Sequence, residues 1–120
     1  MQFLLVTSRQ TGRWVIPKGN PIRGLAPPQS AAREAYEEAG IEGEVGESAL
    51  GAYRYRKGTR FLLPRMARVT VYPLAVTREL DAWPEAHQRR RQWFSRADAA
   101  RAVDEAALRR IILAFSIPPR

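Results

Sequence analysis

Glu34 is followed by Glu37 and Glu38, three and four residues on. On a helix such positions are neighbours, so the spacing brings three carboxylates to one edge. Left alone, the three charges repel, raise one another's pKa and weaken the helix; a hard divalent cation neutralises them. Mg²⁺ suits such a set because it keeps several waters and combines one or two protein carboxylates with phosphate oxygens of a substrate. Arg33 stands beside Glu34 and four residues before Glu37, where it orients a carboxylate rather than binding substrate. The plain alternative is a solvated helix face carrying an Arg–Glu pair.

The helix that must carry these residues is marked at both ends. Pro28 suits its first turn, Gly40 its C′ position, and residues 31–39 between them are rich in good helix formers. Ahead of it, 4–7 reads as a strand, 8–12 as a hairpin turn and 13–16 as the returning strand, which Pro17 ends. Residues 18–28, with their glycines, prolines and Asn20, are loop chemistry. Further on, 50–56 and 67–76 read as strands, with 57–65 as a basic hairpin loop between them. A short strand at 92–94 leads to Ser95, with Asp98 three residues on as in a capping box. Val103, Ala107, Ile111 and Phe115 recur every fourth residue and predict a helical face packed on the sheet. Strands on either side of helices indicate an α/β or α+β domain.

A chain of 120 residues that is 45% hydrophobic is expected to form one domain, 1–120, around a single core. The absence of cysteine excludes disulfides, a thiolate nucleophile and zinc–thiolate sites, and His87 alone cannot build a multi-histidine metal site. Apolar runs such as 3–6 are too short to span a bilayer and no signal peptide follows Met1, which predicts a cytoplasmic protein without a membrane partner. Twenty basic residues against 12 acidic ones give +8 and point to a polyanionic partner. The position of the charges says more. Residues 1–33 and 48–78 contain no acid, whereas 34–47 hold six glutamates, Glu34, Glu37, Glu38, Glu42, Glu44 and Glu47. A nucleic-acid module is more simply basic along one face, so nucleic acid is not the favoured partner. The arrangement suits a polyphosphate held by arginines while glutamates hold the cation.

The segment Gly19-x5-Leu25-x7-Arg33-Glu34-Ala35-x-Glu37-Glu38-x-Gly40-Ile41 resembles the Nudix box, G-x5-E-x7-R-E-U-x-E-E-x-G-U, where U is aliphatic. Every fixed position of the box, 19–41, matches except Leu25, which stands where the consensus has Glu. Trp14-Val15-Ile16-Pro17-Lys18-Gly19 is similar to the W-x-x-P-K-G entry of the diphosphoinositol-polyphosphate and diadenosine-polyphosphate branch, and the 51–56 and 92–94 segments match later family features. The resemblance implies an α/β/α sandwich with a mixed β-sheet, the box forming a loop-helix-loop. It also implies Mg²⁺- or Mn²⁺-assisted hydrolysis of a nucleoside diphosphate linked to another moiety. Carried over by position, Glu34, Glu37 and Glu38 ligate the metal with help from the Gly19 carbonyl, and Arg33 orients the glutamates; alternatively Glu34 activates the water. Attack on a diphosphate develops charge on phosphoryl oxygens, which cations and arginines stabilise.

Arg9, Lys18, Arg54, Arg56, Lys57 and Arg60 are candidates for a rim that grips phosphates, ordinary surface charge being the alternative. Trp14, Tyr53 and Tyr55 are candidates for stacking on a base, against a plain core role. Glu85, in the loop after Trp83-Pro84, is a possible additional acid that partly replaces the one missing at Leu25. His87 has a suitable intrinsic pKa for a base but no supporting pattern. Arg89-Arg90-Arg91 reads as a solvated loop. The expected function is metal-dependent hydrolysis of a diphosphate linkage in a highly phosphorylated small molecule, diadenosine polyphosphates or diphosphoinositol polyphosphates being favoured. The alternative, prompted by Leu25 and the +8 charge, is a weakly active or silent domain that binds nucleotide or RNA as a sensor or adaptor.

Overall fold

A computed structural model describes residues 1–57 and 65–117. Its first ladder is built from β1 (Gln2–Thr7), with β2 (Trp14–Val15) on one side and β7 (Arg91–Ser95) on the other, both antiparallel. Because successive side chains of a strand leave opposite faces, Leu5 and Val6 enter different cores. Leu5 packs with Ala99 and Ala100 of α2 (Arg96–Ala102) and with Leu108 and Ile112 of α3 (Ala106–Ala114). Val6 packs with Ala35 and Ala39 of α1 (Pro27–Ala39). One step along one strand thus places helices on both faces, giving the expected α/β/α arrangement.

Helix α1 starts at Pro27 and Pro28, where a missing N–H costs nothing. The hydroxyl of Ser30, one turn in, accepts from the Ile22 N–H at 3.0 Å and ties the preceding loop to the helix. Gly40 ends it at φ 65°, its N–H donating to the Tyr36 carbonyl. Only glycine suits this point, since a Cβ would also lie 2.5 Å from the Trp83 ring.

Two further antiparallel ladders pair β3 (Ile41–Val45) with β6 (Leu74–Glu79) and β4 (Gly51–Lys57) with β5 (Arg65–Val71). All ladders among the described residues are antiparallel. The single strand expected at 67–76 is two, separated at Tyr72 and Pro73, where proline offers no N–H to a ladder. Strand β3 was not expected, because Glu42-Gly43-Glu44 has low strand propensity. It forms across a register shift at Glu42/Gly43, where a Cβ on Gly43 would lie 1.9 Å from the Ala75 carbonyl oxygen. Most of the expected 57–65 loop, with Arg60, lies outside the described residues.

The expected C-terminal face packs on the core through Val103, Ala107, Ile111 and Phe115, but not as one helix. Val103 is extended at φ −91°, ψ 149° and ends α2, so its helical phase is not carried into α3, whose buried residues are Leu108 and Ile112. The Ser95 cap forms as expected, its hydroxyl accepting from the Asp98 N–H at 3.1 Å. Each helix C-terminus receives an arginine from another element. Arg91 donates to the carbonyls of Ala39 and Gly40, Arg109 to those of Ala100 and Val103, and Arg96 to those of Ile112 and Leu113. Carbonyls orphaned at helix ends thereby gain charged donors placed to favour the helix dipole. Among the described residues no helix is long and apolar enough to cross a membrane.

Candidate active site

Helix α1 presents Glu34 and Glu38 inward and Glu37 outward. The Glu34 carboxylate lies against the backbone of Gly19, where a Cβ would sit 2.4 Å from its Cδ. Glycine at 19 therefore makes the seat for Glu34. Glu38 is 3% exposed. Its Oε1 accepts from the Lys18 N–H at 3.4 Å and stands 3.5 Å from Nη2 of Arg89. Burial raises its carboxyl to about 8; Arg89 opposes the shift and the nearby Glu34 carboxyl adds to it. Glu37 instead pairs with Arg33 at 3.2 Å toward solvent. Among the described residues no three acidic or imidazole groups converge closely enough to form a ready-made metal cage.

Lys18 Nζ lies 4.6 Å from the centre of the Tyr55 ring, and burial lowers its pKa. Lys57 donates to the Asn20 side chain at 3.3 Å, so both lysines flank the loop holding Gly19. Arg54 and Arg56 alternate with Tyr53, Tyr55 and Lys57 along β4, and the two-residue period sends them to the opposite, exposed face. Arg9 reaches the other side of the site, donating to Gln88 at 2.8 Å and standing 3.7 Å from Glu85. A groove of about 980 Å³ has Lys18, Gly19 and Glu34 among its lining, with apolar residues such as Leu4, Val69 and Leu74 making up much of the rest.

The NUDIX domain model matches residues 1–115. The chain belongs to the NUDIX family. It is 34% identical over 103 residues to a Homo sapiens protein named diphosphoinositol polyphosphate phosphohydrolase 3-beta, covering 84% of this chain and 58% of that one. To Nudix hydrolase 21, chloroplastic, of Arabidopsis thaliana it is 30% identical over 116 residues, 96% of this chain and 57% of the relative. The chain thus spans a little over half the length of the curated relatives it matches. A crystal structure described as a C. elegans Ap4A hydrolase binary complex shares the fold, with TM-score 0.63 and 22% identity over 93% of this chain and 81% of that one.

Within this NUDIX domain Leu25 is 43% exposed on the loop ahead of α1. Tyr53 is buried in the core among α2 and α3 side chains, and Trp14, partly buried, packs against that core and edge-on to Phe94 at 5.0 Å. His87 is exposed. The solvated reading of 89–91 is corrected. Arg89 bonds Glu85, Glu38 and Thr7, Arg91 stacks at 4.1 Å on Trp83 while donating to three carbonyls, and Arg90 lies 5.6 Å over Trp14. Trp83, which donates to the Glu38 carbonyl at 3.1 Å, was also missed. The signal available for Arg89 was Glu85 four residues before it.

Proposed function

We propose that this NUDIX domain, taken as residues 1–120, is a metal-dependent pyrophosphohydrolase. Its substrate class is a nucleoside diphosphate linked to another group or a highly phosphorylated small molecule, diadenosine polyphosphates and diphosphoinositol polyphosphates first. The observation that carries this reading is that Glu34, seated on Gly19, and Glu38, one helical turn on, buried and accepting from the Lys18 N–H, stand on the same edge of α1. Two carboxylates on one helix edge, one of them buried, repel unless a proton or a cation offsets their charge, and hard oxygen donors suit Mg²⁺ or Mn²⁺ with coordination positions left for water and substrate. Relatives named as diphosphoinositol polyphosphate phosphohydrolases and a fold neighbour described as an Ap4A hydrolase support the substrate class.

Glu34 and Glu38 would hold the cation, with the Gly19 carbonyl beside them, and Glu37 would join when freed from Arg33. A bound cation polarises phosphoryl oxygens and lowers the pKa of the attacking water. Lys18 and Lys57 offer positive charge on the same side as Gly19, and Arg9 on the side of Glu85. Glu34 is the alternative acceptor of the proton from water. The test is phosphate-bearing product release across both compound classes with and without Mg²⁺. Removal of outer-shell partners alone costs metal sites 10–100-fold, so E34Q/E38Q should lose at least about 100-fold in turnover. Unchanged turnover in that variant would sink the assignment.

Leu25 favours a second reading, a weak or silent domain that binds nucleotide or RNA. Under it the wild type turns over slowly and L25E raises both Mn²⁺ affinity and rate; under the first reading L25E changes little.

A further inference from the structure

Arg89 spans three elements with one guanidinium. Nε donates to Glu85 Oε1 at 2.8 Å, Nη1 donates to the Thr7 carbonyl at 3.1 Å, and Nη2 stands 3.5 Å from Glu38 Oε1. Its side chain is only 10% exposed. The backbone beside it is fixed, since the Arg90 N–H donates to the Thr7 hydroxyl at 2.8 Å and the Thr7 N–H to the Arg90 carbonyl at 2.9 Å. Arg89 therefore reaches the helix acid and the loop acid from a stationary base on β1. Glu85 has two other tethers: its own N–H to the Glu37 carbonyl at 3.1 Å, and Arg9, more than half exposed and 3.7 Å away. The first fixes the loop's backbone, and an exposed pair such as the second contributes little.

We infer that Arg89 is a positioning residue which holds the Glu85 and Glu38 carboxylates in one fixed relation, so that the 85–89 turn and helix α1 act as a single acidic site. The inference rests on the reading of α1 as that site. A planar guanidinium directs separate donors at separate acceptors, whereas a lysine ammonium is a single point charge that cannot reach all three at once. The positive charge between the two carboxylates also offsets their repulsion while keeping them close.

The experiment compares wild type, R89K, R89M, E85Q and R89M/E85Q. It measures Mn²⁺ affinity by titration without substrate, kcat and KM separately with diadenosine tetraphosphate, and the urea unfolding midpoint. Loss of an outer-shell partner of this kind should weaken Mn²⁺ binding about 10–100-fold in R89M, with a parallel fall in kcat and KM within about threefold. R89K should fail to rescue either, although it keeps the charge and most of the volume. The double variant should be no worse than the more damaged single one, because Arg89 acts partly through Glu85. R89K decides the matter if R89M does not fold. Wild-type Mn²⁺ affinity in R89K, or effects of R89M and E85Q that simply multiply, would overturn the inference. A wild type that binds Mn²⁺ but cleaves neither compound class refutes the proposed function while the affinities still judge Arg89; a wild type that binds no Mn²⁺ refutes both.

Discussion

Arginine is used in two opposite ways in this molecule. Arg91, Arg96 and Arg109 each turn a guanidinium onto the closing carbonyls of a helix in another element. On the β4–β5 ladder, Arg54 stands directly across from Arg68, and Arg56 is exposed on the same face. Among the described residues no ion pair includes any of these three. The first set compensates partial negative charge that the backbone cannot satisfy itself. The second places like charges side by side, an arrangement unfavourable to the ladder unless an anion binds there. A net charge of +8 thus says little by itself. What matters is how much positive charge the fold has already spent on its own carbonyls.

The contrast breaks first at Arg91, which donates to Ala39, Gly40 and Leu80 at 2.9, 3.1 and 2.7 Å. R91M removes the charged donor from these carbonyls, the Gly40 carbonyl keeping only the Leu80 N–H at 2.8 Å, and hydrogen bonds from a charged donor contribute about 1.5–3 kcal/mol. A loss of about 2–4 kcal/mol in unfolding free energy is expected on that basis, with the urea m-value unchanged. A midpoint that does not move would put Arg91 with the surface arginines. The next largest effect sharpens the contrast on the substrate side. If Lys18 meets a phosphate, K18M loses a charge-assisted contact of about 1.5–3 kcal/mol, so kcat/KM should fall about 10–100-fold. R54S/R56S should stay within about threefold of wild type, since surface substitutions away from a site usually stay within about 0.5 kcal/mol. Equal losses in the two variants would place the substrate across both faces of β4.

The span of helix α1 was legible because local chemistry decides it, Pro28 and Gly40 setting its ends; the expected convergence of three glutamates was not, since Glu37 turns away to Arg33 at 3.2 Å. The turn ahead of β2 and the Ser95 cap were legible for the same reason. Strand β3 was hidden by its own glutamates. Glu42 and Glu44 belong to the same acidic run as Glu34 and Glu38 but lie exposed on β3, where Glu42 faces Arg78 at 3.4 Å. Periodicity within a segment cannot say which partner strand will accept an unfavourable sequence. Arg89 and Arg91 were hidden likewise, since their acceptors lie up to 82 residues away. A run of three arginines has the composition of a solvated loop; only tertiary contacts show that Arg89 bridges Glu85, Glu38 and Thr7 and that Arg91 closes the helix.

The smallest effect tests the unfavourable half of the contrast most directly. Arg54 and Arg68 are directly opposed on an antiparallel ladder, where cross-strand side chains are within reach and like charges destabilise. R54T removes that repulsion and supplies a β-branched residue suited to a strand, so it should stabilise the domain by a few tenths of a kcal/mol, about 0.2–1. The two residues lie on an exposed face, so the gain must be screened. At about 1 M salt the Debye length falls to about 3 Å, and the stabilisation should shrink to the part that strand propensity contributes. The measurement is the difference between R54T and wild-type unfolding midpoints at low and high salt. A gain that persists undiminished at high salt means that propensity alone accounts for it and Arg68 is not felt. Destabilisation at both salts means that Arg54 has a partner holding it in place, and then the β4–β5 arginines belong with those that close the helices.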